Sequence, residues 1–356
     1  MFTTTITNLR AGRLVEAAFL FAIACFAPLA ATAQTPTPTP KPCFDFTGSG
    51  RTSFATINTD TAGIVWRILG NGGSTGGSLQ TIQFGLSDLD IPTPGYFDSD
   101  NRADLGVYRP STPSYFIRPS TSTTANSFRG VQFGTATDIP GREADYDGDG
   151  IDDLTVVRDN PNGGNLTWFI LRSSNNTFAA INFGLAGFTK NNGTGDIPIA
   201  GADYNGDGRA DITVIRNNPS GSDTYFVGDS NTGALILAQN WGNYETDFYV
   251  VGDYVGDRRA DFAVYRAFQG GTNGTWYVLE NGGKGFVVRQ FGLTSLASVT
   301  DRPICGDYNG DGKQDIAIYR SSNSTFYWLN SPNFDTFSIV QFGQPGEFAV
   351  AALRAF

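Results

Sequence analysis

The sequence predicts an all-β protein, and more narrowly a six-bladed β-propeller of four-stranded antiparallel blades. Three observations carry that prediction. One phrase returns six times, about 50 residues apart, which is the period of propeller blades or solenoid units. Within each period, four short apolar or alternating runs are separated by Asn, Gly, Asp, Pro and Ser, the punctuation of strands and turns. No stretch after residue 34 holds a 3.6-residue period, and 44 glycines with 13% aromatics suit turn-rich sheet better than helix.

The first element is not part of that fold. Residues 1–33 are expected to be a cleaved export signal: Arg10 and Arg13 precede the apolar run AAFLFAIACFAPLA, and Ala31–Ala33 offers small residues for cleavage. A lipid anchor on Cys25 is the competing reading. It is disfavoured by the poor lipobox at Ala22-Ile23-Ala24 and by the apolar residues that continue past it. Residues 34–42, with the run TPTPTPKP, form an extended, semi-rigid spacer. Residues 43–356 are then the propeller. No later stretch is long and apolar enough to cross a bilayer, so a secreted or cell-surface location is expected.

The repeated phrase reads GYFDSDNRADLGVYR (95–109), ADYDGDGIDDLTVVR (144–158), ADYNGDGRADITVIR (202–216), GDYVGDRRADFAVYR (252–266) and GDYNGDGKQDIAIYR (306–320), after a decayed first copy, FDFTGSGRTSFATIN (44–58). Each is followed by a strand that opens on a large pair: Trp66-Arg67, Tyr115-Phe116, Trp168-Phe169, Tyr225-Phe226, Trp276-Tyr277 and Phe326-Tyr327. A last strand ends at Gly85, Gly134, Gly184, Gly242, Gly292 or Gly343. Four strands with large residues on both faces leave apolar surface wet unless the sheets stack, and a closed ring leaves no exposed end. The recurring aromatics are therefore read as inter-blade core rather than as a ligand platform. Arg109, Arg158, Arg216, Arg266 and Arg320 recur likewise and are read as structural ion-pair or hydrogen-bond donors, with Asn58 the departure in the first unit. The C-terminal GEFAVAALRAF follows the last Gly343 as an innermost strand would, and is expected to complete the first blade. A larger ring with a truncated seventh unit is the alternative.

The loops concentrate the acid. Oxygen side chains at relative positions 1, 3, 5 and 9, with glycines at 4 and 6, describe a tight wrap around a hard cation. Calcium, which accepts six to eight oxygens, fits better than magnesium, and transition metals would call for nitrogen or sulfur. An EF-hand is excluded, because position 12 is Val156 or Val214 and the following residues alternate as a strand. The ion is expected in the hairpin between the first and second strands of a blade.

With its apolar strand and FG-ending neighbours, this D-x-[DN]-G-D-G-x-x-D phrase in tandem resembles the FG-GAP/VCBS repeat family of calcium-binding β-propellers, over essentially all of residues 43–356. The resemblance implies calcium ligands at positions 1, 3, 5 and 9 and a backbone carbonyl at 7. Three sets look complete: Asp145, Asp147, Asp149, Ile151 carbonyl and Asp153; Asp203, Asn205, Asp207, Arg209 carbonyl and Asp211; Asp307, Asn309, Asp311, Lys313 carbonyl and Asp315. Two copies are degenerate, with weak binding or none expected. Asp98, Asp100 and Asp104 lack a first ligand, which is Tyr96, and Asp253, Asp257 and Asp261 lack a third-position ligand, which is Val255. The first copy keeps only Asp45 and is expected to hold no ion. Cys43 and Cys305 stand at equivalent places, two residues before Asp45 and Asp307; a disulfide between them and two free thiols are both open.

Composition narrows the function. There are no histidines, which excludes His-based triads, His-ligated zinc and imidazole acid–base chemistry. Lysine and arginine total 24 against 34 acids, so no nucleic-acid partner is expected. The expected role is a binding or adhesion scaffold for an extracellular protein or glycan, not an enzyme. The face opposite the acidic loops, with the long segments 184–196 and 267–274, is the candidate contact surface. A carbohydrate-binding lectin and a polysaccharide-active lyase or glycosidase are the alternatives. Glu143, Glu245, Glu280 and Glu347 are the only glutamates after the signal, and nothing in their spacing pairs two of them.

Overall fold

The computed structural model describes residues 40–355 apart from 61–62, 71–77, 125–126, 161, 189–194, 268–272, 284 and 295–300. The export signal and residues 34–39 of the spacer lie outside the described residues, as do parts of the two long segments proposed for contact. Six antiparallel sheets follow one another along the chain as a six-bladed β-propeller. Blade one holds β1 (Phe54–Asp60), β2 (Gly63–Leu69) and β3 (Leu79–Gln83); blade two holds β4 (Ile91–Pro92), β5 (Leu105–Arg109), β6 (Ser114–Arg118) and β7 (Arg129–Gln132). Blade three holds β8 (Leu154–Arg158), β9 (Asn165–Leu171) and β10 (Phe178–Leu185); blade four holds β11 (Ile197–Ala202), β12 (Asp211–Arg216), β13 (Thr224–Gly228) and β14 (Leu235–Asn240). Blade five holds β15 (Asp247–Tyr249), β16 (Phe262–Arg266), β17 (Asn273–Leu279) and β18 (Phe286–Leu293). Blade six holds β19 (Asp301–Ile304), β20 (Ile316–Arg320), β21 (Thr325–Leu329) and β22 (Phe337–Gln341), and the chain ends with β23 (Phe348–Ala349) and a 3-10 turn over Val350–Arg354.

The expected closure is present. The last strand, β23, pairs with β1, Thr56 facing Ala349 and Ile57 facing Phe348, so the C-terminal strand is innermost in blade one. The segment KPCFDF forms no strand of its own. In blade three the innermost strand is reduced to isolated bridges, Ile139 with Val157 and Ala144 with Asp153. Between them, buried Arg142 bonds the carbonyls of Pro140 and Gly141 and that of Pro198 in blade four, so these backbone groups serve a side chain instead of a ladder.

The six sheets close on themselves through one repeated backbone bond. The N–H of the eighth loop position donates to the carbonyl of the first position in the preceding blade: Ala103 to Asp45, Asp152 to Tyr96, Ala210 to Asp145, Ala260 to Asp203, Gln314 to Asp253, and finally Thr52 to Asp307, at 2.6–2.8 Å. The last of these returns from blade one to blade six, which leaves no room for a seventh unit.

The aromatic pairs divide their labour. Trp66, Tyr115, Trp168, Tyr225, Trp276 and Phe326 are buried between blades, as expected of inter-blade core. The second members, Phe116, Phe169, Phe226, Tyr277 and Tyr327, lie under the guanidinium groups of Arg109, Arg158, Arg216, Arg266 and Arg320, 4.3–4.8 Å from ring centre to cation.

Each of those arginines grips a buried carboxylate with two nitrogens at 2.6–2.9 Å: Asp90, Asp138, Asp196, Asp247 and Asp301. The same carboxylate accepts the N–H just after the closing glycine of the previous blade, from Leu86, Thr135, Leu185, Asn243 and Leu293. It therefore ties one blade's outer strand to the next blade's second strand. In blade one the parts are exchanged. Arg67 stands at the aromatic's place, opposite Thr56, and reaches Glu347 from the C-terminal segment at 2.8 Å. Glu347 also accepts the Thr56 hydroxyl and the Gln344 N–H. Arg67 thus supplies the guanidinium that Asn58 lacks.

Cys43 and Cys305 form a disulfide, with Cα atoms 6.0 Å apart, that joins the entry of blade one to blade six. Cys305 also donates its N–H to Ala351 of the C-terminal turn.

Replacing Arg320 by Ala leaves Asp301 buried without its cation, and the expected loss is about 3–5 kcal/mol in chemical denaturation. The expected loss for Cys305→Ser is about 2–5 kcal/mol, and reduction of the unmutated protein should reproduce it as a lower Tm. An unchanged midpoint after reduction would show that β23 and Glu347 alone suffice to close the ring.

Candidate metal centres

The acidic loops occupy one end of the ring, between the first and second strands of each blade. Their path is set by the first aspartate. In the loop 145–153, Asp145 Oδ1 accepts the N–H groups of Gly148 (2.6 Å) and Asp149 (3.1 Å), and Oδ2 accepts that of Gly150 (2.7 Å). Asp203 and Asp307 do the same for Gly206, Asp207 and Gly208, and for Gly310, Asp311 and Gly312. The ninth position is held from two sides. Asp153 accepts the N–H of Tyr146 at 3.0 Å and that of Ser173 at 2.7 Å, and Asp315 those of Tyr308 and Ser331, both at 2.7 Å.

Glycine at the sixth position takes φ of 86° in Gly150, 85° in Gly208 and 83° in Gly312. The degenerate loops keep this path without glycine, since Asn101 has φ 59° and Arg258 has φ 70°. A left-handed non-glycine residue costs on the order of 1 kcal/mol, and asparagine bears it best. At the fourth position the reason for glycine is a neighbour. A Cβ on Gly148 would lie 3.1 Å from Arg209 Cγ, and one on Gly206 would lie 3.0 Å from Arg259 Nε, each arginine reaching across from the next blade's loop.

The donor set suits calcium. Two oxygens bound to one calcium ion at about 2.4 Å lie at most about 5 Å apart. One carboxylate oxygen from each of Asp145, Asp147 and Asp149 falls within 4.8 Å of the others, and the same holds for Asp98, Asp100 and Asp104. Asp147 Oδ1 is buried with no hydrogen-bond partner, an acceptor that a cation would satisfy. Asn205 and Asn309 face inward with nitrogen: Asn205 Nδ2 lies 3.3 Å from both Asp207 and Asp211, and Asn309 Nδ2 lies 3.2 Å from Asp315. Their oxygens accept the N–H groups of Asp207 and Asp311. To serve as ligands, both amides must turn over.

Burial pushes the ninth-position carboxyls up, to about 7 for Asp153, Asp211 and Asp261 and about 6 for Asp315, with neighbouring carboxylates adding to the shift. Asp104 is likewise pushed to about 7 by burial, with Asp98 and Asp100 beside it. Asp253 and Asp261 keep their backbone partners, but Val255 brings no oxygen to the loop. In the first loop Asp45 gathers the donors of Thr47, Gly48, Ser49 and Gly50.

In blades two to six the second hairpin, between the third and fourth strands, also reaches these loops, and sequence reasoning missed it. Ser120, Ser173, Ser230, Asn281 and Ser331 stand two residues past the third-strand residues Arg118, Leu171, Gly228, Leu279 and Leu329, which share one register position. That recurrence was the available signal.

Residues 145–214 match the family model described as an FG-GAP-like repeat. The chain therefore carries an FG-GAP-like repeat there, spanning the loops of blades three and four. No curated protein matches the sequence. Among solved structures, a rhamnogalacturonan lyase of Bacillus licheniformis aligns at 15% identity with a TM-score of 0.36, over 82% of this chain and 58% of the lyase. The chain thus spans less than two thirds of that protein. A mutant of AofleA from Arthrobotrys oligospora aligns at 12% identity with a TM-score of 0.43, over 88% of this chain and 89% of that one. Likenesses this weak say nothing of what this chain binds or does.

The raised carboxyls fix the sign of a pH effect. Without metal the folded state holds these protons more tightly than the unfolded chain, so the contribution of these carboxyls to stability in chelator is fully present below about pH 4 and is lost as pH rises through 7. Protons would compete with a bound cation at the same oxygens, so the affinity of these loops for calcium would fall as pH drops from 8 to 5. Thermal unfolding against pH, in chelator and in calcium, should give slopes of opposite sign.

Proposed function

We propose that this protein is an exported, calcium-stabilised β-propeller that works as a binding scaffold for an extracellular protein or glycan. The observation that carries the calcium reading is the all-oxygen loop 145–153, where three carboxylates converge and Asp147 Oδ1 has no partner. The loops at 203–211 and 307–315 repeat its backbone wrap. Calcium there would fix hairpin geometry rather than conduct a reaction. The disulfide accords with an oxidising compartment.

A scaffold is favoured over an enzyme because the buried glutamates and the repeated aspartates are committed. Glu143 is buried and accepts the Tyr115 hydroxyl and the Gly141 N–H, while Glu347 serves the closure of blade one. The repeated aspartates serve loops or arginines. The end of the ring opposite the acidic loops, where second strands turn into third strands and one blade passes to the next, is the candidate contact surface.

Metal analysis of the purified protein at millimolar calcium should return about three ions per chain. At 100-fold over Kd, each site adds about 2.7 kcal/mol to stability, so chelator should lower Tm by many degrees. An interaction pulldown run with calcium and then with chelator should lose its partner in chelator. Steady release of oligosaccharides from a polysaccharide panel would instead identify an enzyme.

A further inference from the structure

Each complete loop offers five oxygen groups, whereas calcium takes six to eight oxygens, so the sphere is completed by a carboxylate that binds with both oxygens, by water, or by a donor from outside the loop. In two blades the second hairpin places such a donor beside the loop. Ser331, itself more than nine-tenths buried, places Oγ 2.8 Å from Asp315 Oδ1 and 3.0 and 3.1 Å from the two oxygens of Asp311, with Asn309 Nδ2 at 3.0 Å. A hydroxyl has one proton and can satisfy one of those carboxylate oxygens at a time. The remaining contacts set oxygen against oxygen at distances that a shared cation makes favourable. In blade three, Ser173 Oγ lies 2.8 Å from Asp149 Oδ2 and 3.4 Å from the Ile151 carbonyl, the ligands at positions 5 and 7. Blade four differs: Ser230 Oγ donates to the Tyr146 carbonyl of blade three at 3.1 Å and leaves its own loop alone.

We infer that the hydroxyls of Ser173 and Ser331 are calcium ligands. The complete loops then divide into two sites closed by serine, at 145–153 and 307–315, and one closed by water, at 203–211. A hydroxyl oxygen bound to the ion through a lone pair keeps its proton for a neighbouring carboxylate. The water-closed site is the weakest of the three and empties first when free calcium falls. Binding at the other two joins both hairpins of a blade, so the ion orders the start of the outer strand as well as the loop.

This inference rests on the calcium reading, and the test separates the two. Isothermal titration of the full chain with calcium should show two sites weakened roughly tenfold in the S173A/S331A variant, the range seen when groups supporting a metal's ligands are removed. The S230A variant should titrate as the unmutated protein does. In calcium-soaked crystals of the unmutated protein, Ser173 Oγ and Ser331 Oγ should lie about 2.3–2.6 Å from the ions. That measurement decides the matter even if the double variant does not fold. No uptake by the unmutated protein would overturn the calcium reading itself. Normal uptake with serine oxygens outside the coordination sphere, or with an unaltered double variant, would overturn only the role of the serines.

Discussion

The buried carboxylate at the head of each innermost strand is the contact on which the ring depends. It receives a guanidinium from its own blade and a backbone N–H from the blade before, so one side chain sets both the internal order of a sheet and its seat against a neighbour. Stacked sheets alone could slide, because aromatic side chains such as Trp168 and Tyr225 bring bulk without direction. A two-nitrogen grip on a desolvated carboxylate is directional, and misplacement leaves a charge in the core. The aromatic beneath each arginine prevents that arginine from leaving for water. Blade one shows how strictly this is enforced: with Asn58 in the guanidinium's place, Arg67 gives up the aromatic's role to reach Glu347.

Much of this was legible in the sequence because the repeat states it six times. The blade count, the four strands, the buried Trp and Tyr ladder and the C-terminal closure all follow from where the phrase recurs. The arginines could be called structural, but their partners could not be named. The five aspartates recur 19 or 20 residues before the arginines they hold, a spacing that the repeat offers but that no strand or turn period singles out as a contact. Arg142 escaped for the opposite reason. It occurs in one blade only, where it takes the carbonyls that would have extended the inner strand.

The loops were legible as a pattern of oxygens and less so as a geometry. A pattern cannot say that Asp145 spends both oxygens on backbone N–H groups, that Asn205 presents nitrogen to its neighbours, or that Arg258 holds a left-handed turn which the motif reserves for glycine. Nor does it reveal that Gly148 must be small to let Arg209 pass from the next blade. These are consequences of stacking one loop against another, and they arise only once the ring is shut. The serines of the second hairpin belong to the same class, since their distance in sequence from Asp149 or Asp311 hides their distance in space.

The pairing of β23 with β1 also fixes an order of events. A chain that emerges from its amino end begins the first sheet earliest and completes it only after the other five, because Phe348 and Ala349 follow all of their strands in the sequence. Until then five sheets can form with their neighbours while the first stands one strand short, its edge open at Thr56 and Ile57. Any internal copy of the inner-strand sequence could settle there in the interval. With Arg67 in place of the aromatic and Glu347 in place of the usual aspartate, that edge carries a charge pairing found in none of the other five blades, which marks it apart from theirs.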